Sequence, residues 1–413
     1  MTLQKYLQKI HEEDKRGKKI NAFLKVNEKA KQEGKGKLNG KCIAVKANIN
    51  VKGLIASCGS KTLEDYKCPY DASAIKKIKQ EGGIIIGITN MDEFAQGSSG
   101  ETSAFGPTQN PSALGLIPGG TSSGSAADLA ADFCDMALGS DTGGSSRNPA
   151  SHCGIVGVKP SYGSVSRYGL IDSSMSFDQI APMAKNVSDA ALLLSVIYGG
   201  DDCDAISVKN DGIDLKKVEQ IPRGVKVGLL DLSELKVDKE IKKLVEERIE
   251  EARKKYGWYV ERIKIKDLDL AIEAYYPIVY VEFFSGTRKF DGRRYGKKIE
   301  AVAGPEVIRR ILGGGEIAKA EHASRYYYQA LKVKKLIEQE FEEAFKKVDC
   351  IICPTVPKLP HKIGEKISVE EMYAYDALTV PANLAGCCAV SIPAGKLKGI
   401  PVGLQIMCDK FQD

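Results

Sequence analysis

Residues 118–147 read PGGTSSGSAADLAADFCDMALGSDTGGSSR, and the reading of this stretch decides the fold. Gly and hydroxyl residues cluster at both ends, as PGGTSSGSA and GSDTGGSSR, around an Ala-rich run, AADLAADF, and an apolar step, CDMALG. The pattern predicts turn, helix, short strand and turn. Glycine lets each turn take positive φ and approach a ligand closely. Successive N–H groups in such turns can cradle developing negative charge. Serines in both turns suggest hydroxyl chemistry beside an oxyanion hole. The competing reading, two Ser/Gly-rich loops with helix caps, suits either cluster alone better than it suits the pair.

Working outward, CIAVK (42–46) predicts a buried strand ending in a lysine, and IIIGIT (84–89) a second one. DASAIKKIKQE (71–81) between them predicts a helix with Asp71 as N-cap and Gly82 as its stop. Strand, helix and strand suggest a βαβ unit, whose functional loops lie beyond the strand C-termini. Residues 2–33 predict one or two amphipathic helices, and 189–198 a short helix. VKVGLLD (225–231), CIICPTVP (350–357), CAVSIPAG (388–395) and PVGLQIM (401–407) predict strands returning to a central sheet. Residues 233–347 are largely helical and charged in pattern, broken by VERIKI and by GGG at 313–315. The expected fold class is α/β: one domain over residues 1–413, with that segment as helical excursions on the same core.

Composition bounds the function. Hydrophobic residues make up 43% of the 413 and charged residues 28%, which fits a globular chain with a sizeable core. No apolar run reaches the roughly 18 residues that span a bilayer, so no membrane partner is expected. The N-terminus, MTLQKYLQKIHEEDKR, is charged and has no apolar leader core. Eleven scattered cysteines point to a reducing, cytoplasmic setting. The lone C-x-x-C, Cys350 and Cys353, lies in an apolar strand pattern and reads as buried thiols, not as a metal site. A net charge of +6 permits a nucleic-acid partner without demanding one.

A hydroxyl nucleophile needs a base. None of the four histidines, His11, His152, His322 and His361, has a strong local signature. Lys46 becomes the candidate: burial at a strand end can depress a lysine pKa by several units. The alternative is an edge-strand lysine reaching water. Gly120-Thr121-Ser122-Ser123-Gly124 also matches G-x-S-x-G, the nucleophile elbow of α/β-hydrolases, but PSALGLIPGG precedes it where that motif follows a strand directly.

With AVKANI upstream and SDTGGS downstream, these residues resemble the amidase signature family. The family's triad is Ser, cis-Ser and Lys, its bridging serine 24 residues before the nucleophile, and here 145 − 121 = 24. The resemblance implies Ser145 as nucleophile, Thr121 as bridge and Lys46 as base. It implies an oxyanion hole from the backbone N–H groups of Thr142, Gly143, Gly144 and Ser145, and an α/β/α fold on a large mixed sheet. GIIIGITNMDEFAQGSSGETSAFGPTQNP, GVKPSYGSVSRYGLI and KFDGRRYG look like the A subunits of tRNA-dependent amidotransferases. That likeness implies a ligase complex in protein biosynthesis. The A subunit hydrolyses glutamine, and ammonia passes to the B subunit, where ATP and Mg²⁺ activate the acyl group of Glu-tRNA(Gln) or Asp-tRNA(Asn). Some such complexes also hold a small C subunit. No cofactor is expected in this chain. A stand-alone amidase and an idle scaffold are the alternatives. The resemblance further assigns Arg310 to the glutamine carboxylate (with Arg309 adjacent), Asp376 to its ammonium and Tyr275 to the pocket wall. The chain departs from the pattern at Thr121, Ser123, Ser146 and Ala47, where serine, glycine, isoleucine and aspartate are usual, and relatives continue past Asp413 into a final helix.

Overall fold

The computed structural model describes residues 1–15, 17–209, 212–323 and 325–413. Its strands are Phe23–Val26 (β1), Cys42–Lys46 (β2), Ile84–Thr89 (β3), Met136–Asp141 (β4), Val156–Lys159 (β5), Gln179–Ala184 (β6), Lys226–Leu230 (β7), Tyr259–Ile263 (β8), Cys350–Pro354 (β9), Cys388–Leu397 (β10) and Ile400–Cys408 (β11). All eleven form one mixed sheet in the order β1-β3-β2-β4-β6-β5-β10-β11-β9-β7-β8. β2 lies parallel between β3 and β4, as the βαβ reading requires. β7 is parallel to both β8 and β9, and the strands between the two parallel groups are antiparallel.

The apolar runs are continuous, not alternating, because helices cover both faces. On β2, Ile43 and Val45 pack with Ile75, Ile78, Leu193 and Leu194 of helices Ser73–Gln80 and Val187–Ile197. Cys42 and Ala44 turn the other way, toward Tyr6, Ile10, Ala126 and Leu129 of helices Leu3–Glu13 and Ser123–Ala130. β9 is sandwiched likewise, Ile351 and Cys353 facing Ile337 and Phe341, Cys350 and Ile352 facing Val245 and Ile249. Among the described residues no helix is long and apolar enough to cross a membrane.

Three local expectations change. Among its described residues the N-terminal segment holds one helix, Leu3–Glu13, and its FLKV becomes the antiparallel edge strand β1, paired to β3. Asp71 caps no helix: its carboxylate accepts from Lys52 N at 2.8 Å and Lys79 Nζ at 3.1 Å. Gly313–Gly315 do not break a helix but lie inside helix Pro305–Ile317. A Cβ on Gly314 would stand 2.0 Å from the Tyr280 carbonyl oxygen, so glycine here permits close approach to helix Ala271–Thr287.

Candidate active site

Lys46 ends an interior strand, not an edge, and its side chain is fully buried. Its Nζ lies 2.6 Å from Thr121 Oγ1 and 2.9 Å from Ser140 Oγ. Burial pulls its pKa down to about 7, although Asp92, Asp141 and Asp178 work the other way. A lysine so held is part neutral at physiological pH and able to take a proton. Thr121 follows a cis peptide from Gly120 and is itself fully buried.

The second turn follows β4 directly. Asp141, the last residue of that strand, gathers it: Oδ1 accepts from Gly144 N at 3.0 Å and Oδ2 from Ser146 N at 3.2 Å. Arg147 closes the knot with two bonds to the same carboxylate, at 2.9 and 3.0 Å, and reaches Thr379 O, Asn383 Oδ1 and Gln405 Oε1. Burial alone would raise the Asp141 carboxyl, but the Arg147 guanidinium overrides it and holds the group well below the usual range. Ser145 sits on top of this knot, 8% exposed, and its carbonyl accepts from Ser122 N at 3.0 Å, which ties the two turns together. Among the described residues the Ser145 and Thr121 hydroxyls are not hydrogen-bonded to each other; Lys46–Thr121 is the link already made.

The four backbone donors expected here divide. The Gly144 N–H is committed to Asp141, which removes it from an oxyanion cradle. The N–H groups of Thr142, Gly143 and Ser145 have no such partner among the described residues. The Thr142 hydroxyl donates to Asp178 Oδ1 at 2.7 Å, and burial raises the Asp178 carboxyl to about 7.

Tyr275 and Asp376 lie at the same turn, and Arg310 reaches Asp376 through the Tyr276 side chain between them. A Cβ on Gly143 would meet Tyr275 Oη at 2.4 Å, so the tyrosine stands against that glycine. The Thr379 hydroxyl spans Gly143 O at 2.7 Å and Asp376 O at 3.2 Å. Asp376 Oδ2 accepts from Tyr276 Oη at 2.9 Å, and burial lifts its carboxyl to about 7. Arg310 is 4% exposed, with Tyr276, Tyr280 and Tyr373 rings 5.4 to 5.8 Å from its guanidinium carbon. Its Nε donates to Glu306 and one terminal nitrogen to Gln96 Oε1, both at 2.6 Å. Burial opposes the charge and Glu306 more than offsets it, so Arg310 stays ionised. Among the described residues its other terminal nitrogen makes no hydrogen bond. Arg309 shares this cluster, pairing with Glu306 and with the Tyr280 and Tyr373 hydroxyls.

A family model described as Amidase matches residues 4–413. The chain belongs to the amidase signature family. Within that family it is 52% identical over 422 aligned positions to the glutamyl-tRNA(Gln) amidotransferase A subunit of Methanocaldococcus jannaschii, covering 100% of this chain and 95% of that one. The protein of the same name from Methanothermobacter thermautotrophicus is 50% identical, with 100% and 92% covered. Among solved structures, the glutamyl-tRNA(Gln) amidotransferase A subunit of Thermotoga maritima superposes with a TM-score of 0.89 at 40% identity, covering 100% of this amidase and 88% of that chain. Peptide amidase from Stenotrophomonas maltophilia gives 0.85 at 29% identity, with 99% and 89% covered.

Several residues of this amidase site escape a sequence reading. Asp178 and Thr379 lie in no quoted motif and are recruited by the fold, while Ser140 and Gln96 lie within quoted stretches, SDTGGS and NMDEFAQGSS, that assign them no role. Asp92 is another: it accepts from Gly100 N at 2.9 Å and Thr102 N at 3.0 Å, and its own N–H donates to Thr121 O. Asp141 and Arg147 flank the GGSS run, within the SDTGGSSR stretch that also holds Ser140. Ser122 is not a free nucleophile, because its hydroxyl donates to Ser140 O at 3.1 Å at the start of helix Ser123–Ala130. Among the described residues no histidine hydrogen-bonds to Lys46, Thr121 or Ser145, and burial takes His152 down to about 4. Cys350 and Cys353 are both buried free thiols of β9.

Proposed function

We propose that this chain is the glutamine-hydrolysing subunit of a tRNA-dependent amidotransferase. It supplies ammonia for conversion of Glu-tRNA(Gln), Asp-tRNA(Asn) or both to the amide, in the cytoplasm. The observation that carries the chemistry is the buried Lys46 amine 2.6 Å from Thr121 Oγ1, beside the turn that presents Ser145. Ser145 Oγ attacks the glutamine δ-carbonyl carbon while its proton passes to Thr121, whose own proton passes to neutral Lys46. The carbonyl electron pair moves onto oxygen, where the Thr142, Gly143 and Ser145 N–H groups receive it. Collapse breaks the C–N bond, and the proton returns through Thr121 to the leaving ammonia. Water then cleaves the glutamyl-Ser145 ester by the same relay and releases glutamate. Arg310 holds the α-carboxylate through its free nitrogen, Asp376 the α-ammonium, and Tyr275 walls the pocket.

The whole chain works as one amidase-signature domain, since one sheet takes strands from residue 23 to residue 408. ATP and Mg²⁺ are used by a B subunit, which activates the aminoacyl carboxylate, with or without a small C subunit. The test is ammonia release from glutamine by the chain alone, then with misacylated tRNA and the B subunit. Glutamine hydrolysis coupled to Gln-tRNA or Asn-tRNA formation is expected. Brisk hydrolysis of another small amide, with glutamine inert under every condition, marks a stand-alone amidase instead.

A further inference from the structure

A neutral amine that must accept a proton has two N–H groups and one lone pair, and the direction of the lone pair decides what it can deprotonate. Around Lys46 Nζ the polar atoms are few: Thr121 Oγ1 at 2.6 Å, Ser140 Oγ at 2.9 Å and Ser140 O at 3.5 Å. Ser140 Oγ also accepts from Asn48 Nδ2 at 3.1 Å, which favours its acting toward Lys46 as an acceptor. All four residues are buried. We propose that Ser140 is a positioning residue: its hydroxyl and carbonyl oxygens take the two N–H groups of neutral Lys46 and so turn the lone pair toward Thr121. After the transfer, the third N–H of the ammonium points back at Thr121 Oγ1 and the same two acceptors hold the other two. The relay therefore runs without the amine having to rotate.

The inference rests on Lys46 being the base. It predicts a pH signature that a merely structural role would not give. The titratable groups facing Lys46 are Asp92, Asp141, Asp178 and Cys58, and Ser140→Ala leaves them in place. It removes an acceptor that favours the charged form, so the Lys46 pKa falls further. In the chain assembled with its partner subunits, Ser140→Ala should lower kcat for glutamine hydrolysis about tenfold or more. The acid limb of kcat should move to lower pH, with KM little changed, and Ser140→Thr, which restores a hydroxyl, should recover most of the rate. Should the alanine variant fail to fold, Ser140→Cys keeps the volume with a much weaker acceptor and reads the same two quantities. An unchanged kcat overturns the proposal. So does a fall in kcat with the acid limb unmoved, or one that threonine does not rescue. Lys46→Ala, measured alongside, separates the two levels: substantial activity there removes the base assignment itself, whereas an inactive Lys46→Ala beside a normal Ser140→Ala removes only the role of Ser140.

Discussion

A lysine serves as a base near neutral pH only while its surroundings keep the charged form expensive, and for Lys46 burial does this. Lys46→Arg keeps a cation that cannot deprotonate, so glutamine hydrolysis should fall nearly as far as in Lys46→Ala; an active arginine variant would show that only the charge matters. Thr121→Val, close in shape but without the hydroxyl, should lose activity by about 10²- to 10⁴-fold, and Thr121→Ser should keep most of it. Initial rates of ammonia release check both. pH adds a further test. The proposed mechanism needs Lys46 neutral and Asp376 ionised, and both groups sit near 7. For glutamine, kcat/KM should rise with pH through about 7 more steeply than one proton allows. Asp376→Asn should flatten that limb toward one while raising KM. These residues differ in how far sequence exposed them. Lys46, Thr121 and Ser145 lie within 100 positions and carry motif spacing, whereas Ser140 and Gln96 lie in quoted stretches whose sequence assigns them no role until the fold brings them to Lys46 and Arg310.

At the scale of elements, the turn after β4 is held by the buried Asp141–Arg147 pair, not by the nucleophile's own bonds. Leaving a buried carboxylate without its partner costs about 3–5 kcal/mol, so Arg147→Ala should lose that much in urea denaturation. The folded-state pKa of Asp141 is depressed, so its stabilisation is present above the carboxyl's unfolded value of 3.8 and is lost as pH falls through the folded one. Without Arg147, burial raises the Asp141 carboxyl, so the penalty for Arg147→Ala should begin to shrink as pH falls through that raised value, before the strong acid that protonates the wild-type carboxylate. Gly314→Ala, which brings a Cβ against the Tyr280 carbonyl, should destabilise by about 1–3 kcal/mol through forced separation of two helices. Element types were legible where burial was two-sided: β2, β3 and β9 are unbroken apolar runs. Phe23–Val26 was not, since a short half-buried edge strand looks like helix surface in a charged neighbourhood. Nor could Gly313–Gly315 reveal that a second helix lay close enough to demand glycine.

For the molecule as a whole, the full burial of Lys46 costs stability, and the proposed mechanism is the reason to keep it. The folded-state pKa of Lys46 is lowered from 10.5 to about 7, so the cost is full below about pH 7 and is relieved as pH rises toward 10.5. Lys46→Met should be inactive yet more stable than the wild type. Its advantage should decline by about 1.4 kcal/mol per pH unit over that window, which denaturation at pH 7 and pH 9 would resolve. The fold class was legible from strand and helix order, but the sheet order was not, because β5 finds its partner β10 more than 200 residues later in the chain. That pairing has a consequence in time. A ribosome delivers Lys46, Thr121 and Ser145 early, yet Arg147 waits for Thr379, Asn383 and Gln405 before its guanidinium is satisfied. Tyr275, Arg310 and Asp376 also arrive late. On the proposed mechanism, a nascent chain should thus carry its nucleophile unarmed until β11 has left the exit tunnel, and unfinished copies should not hydrolyse glutamine.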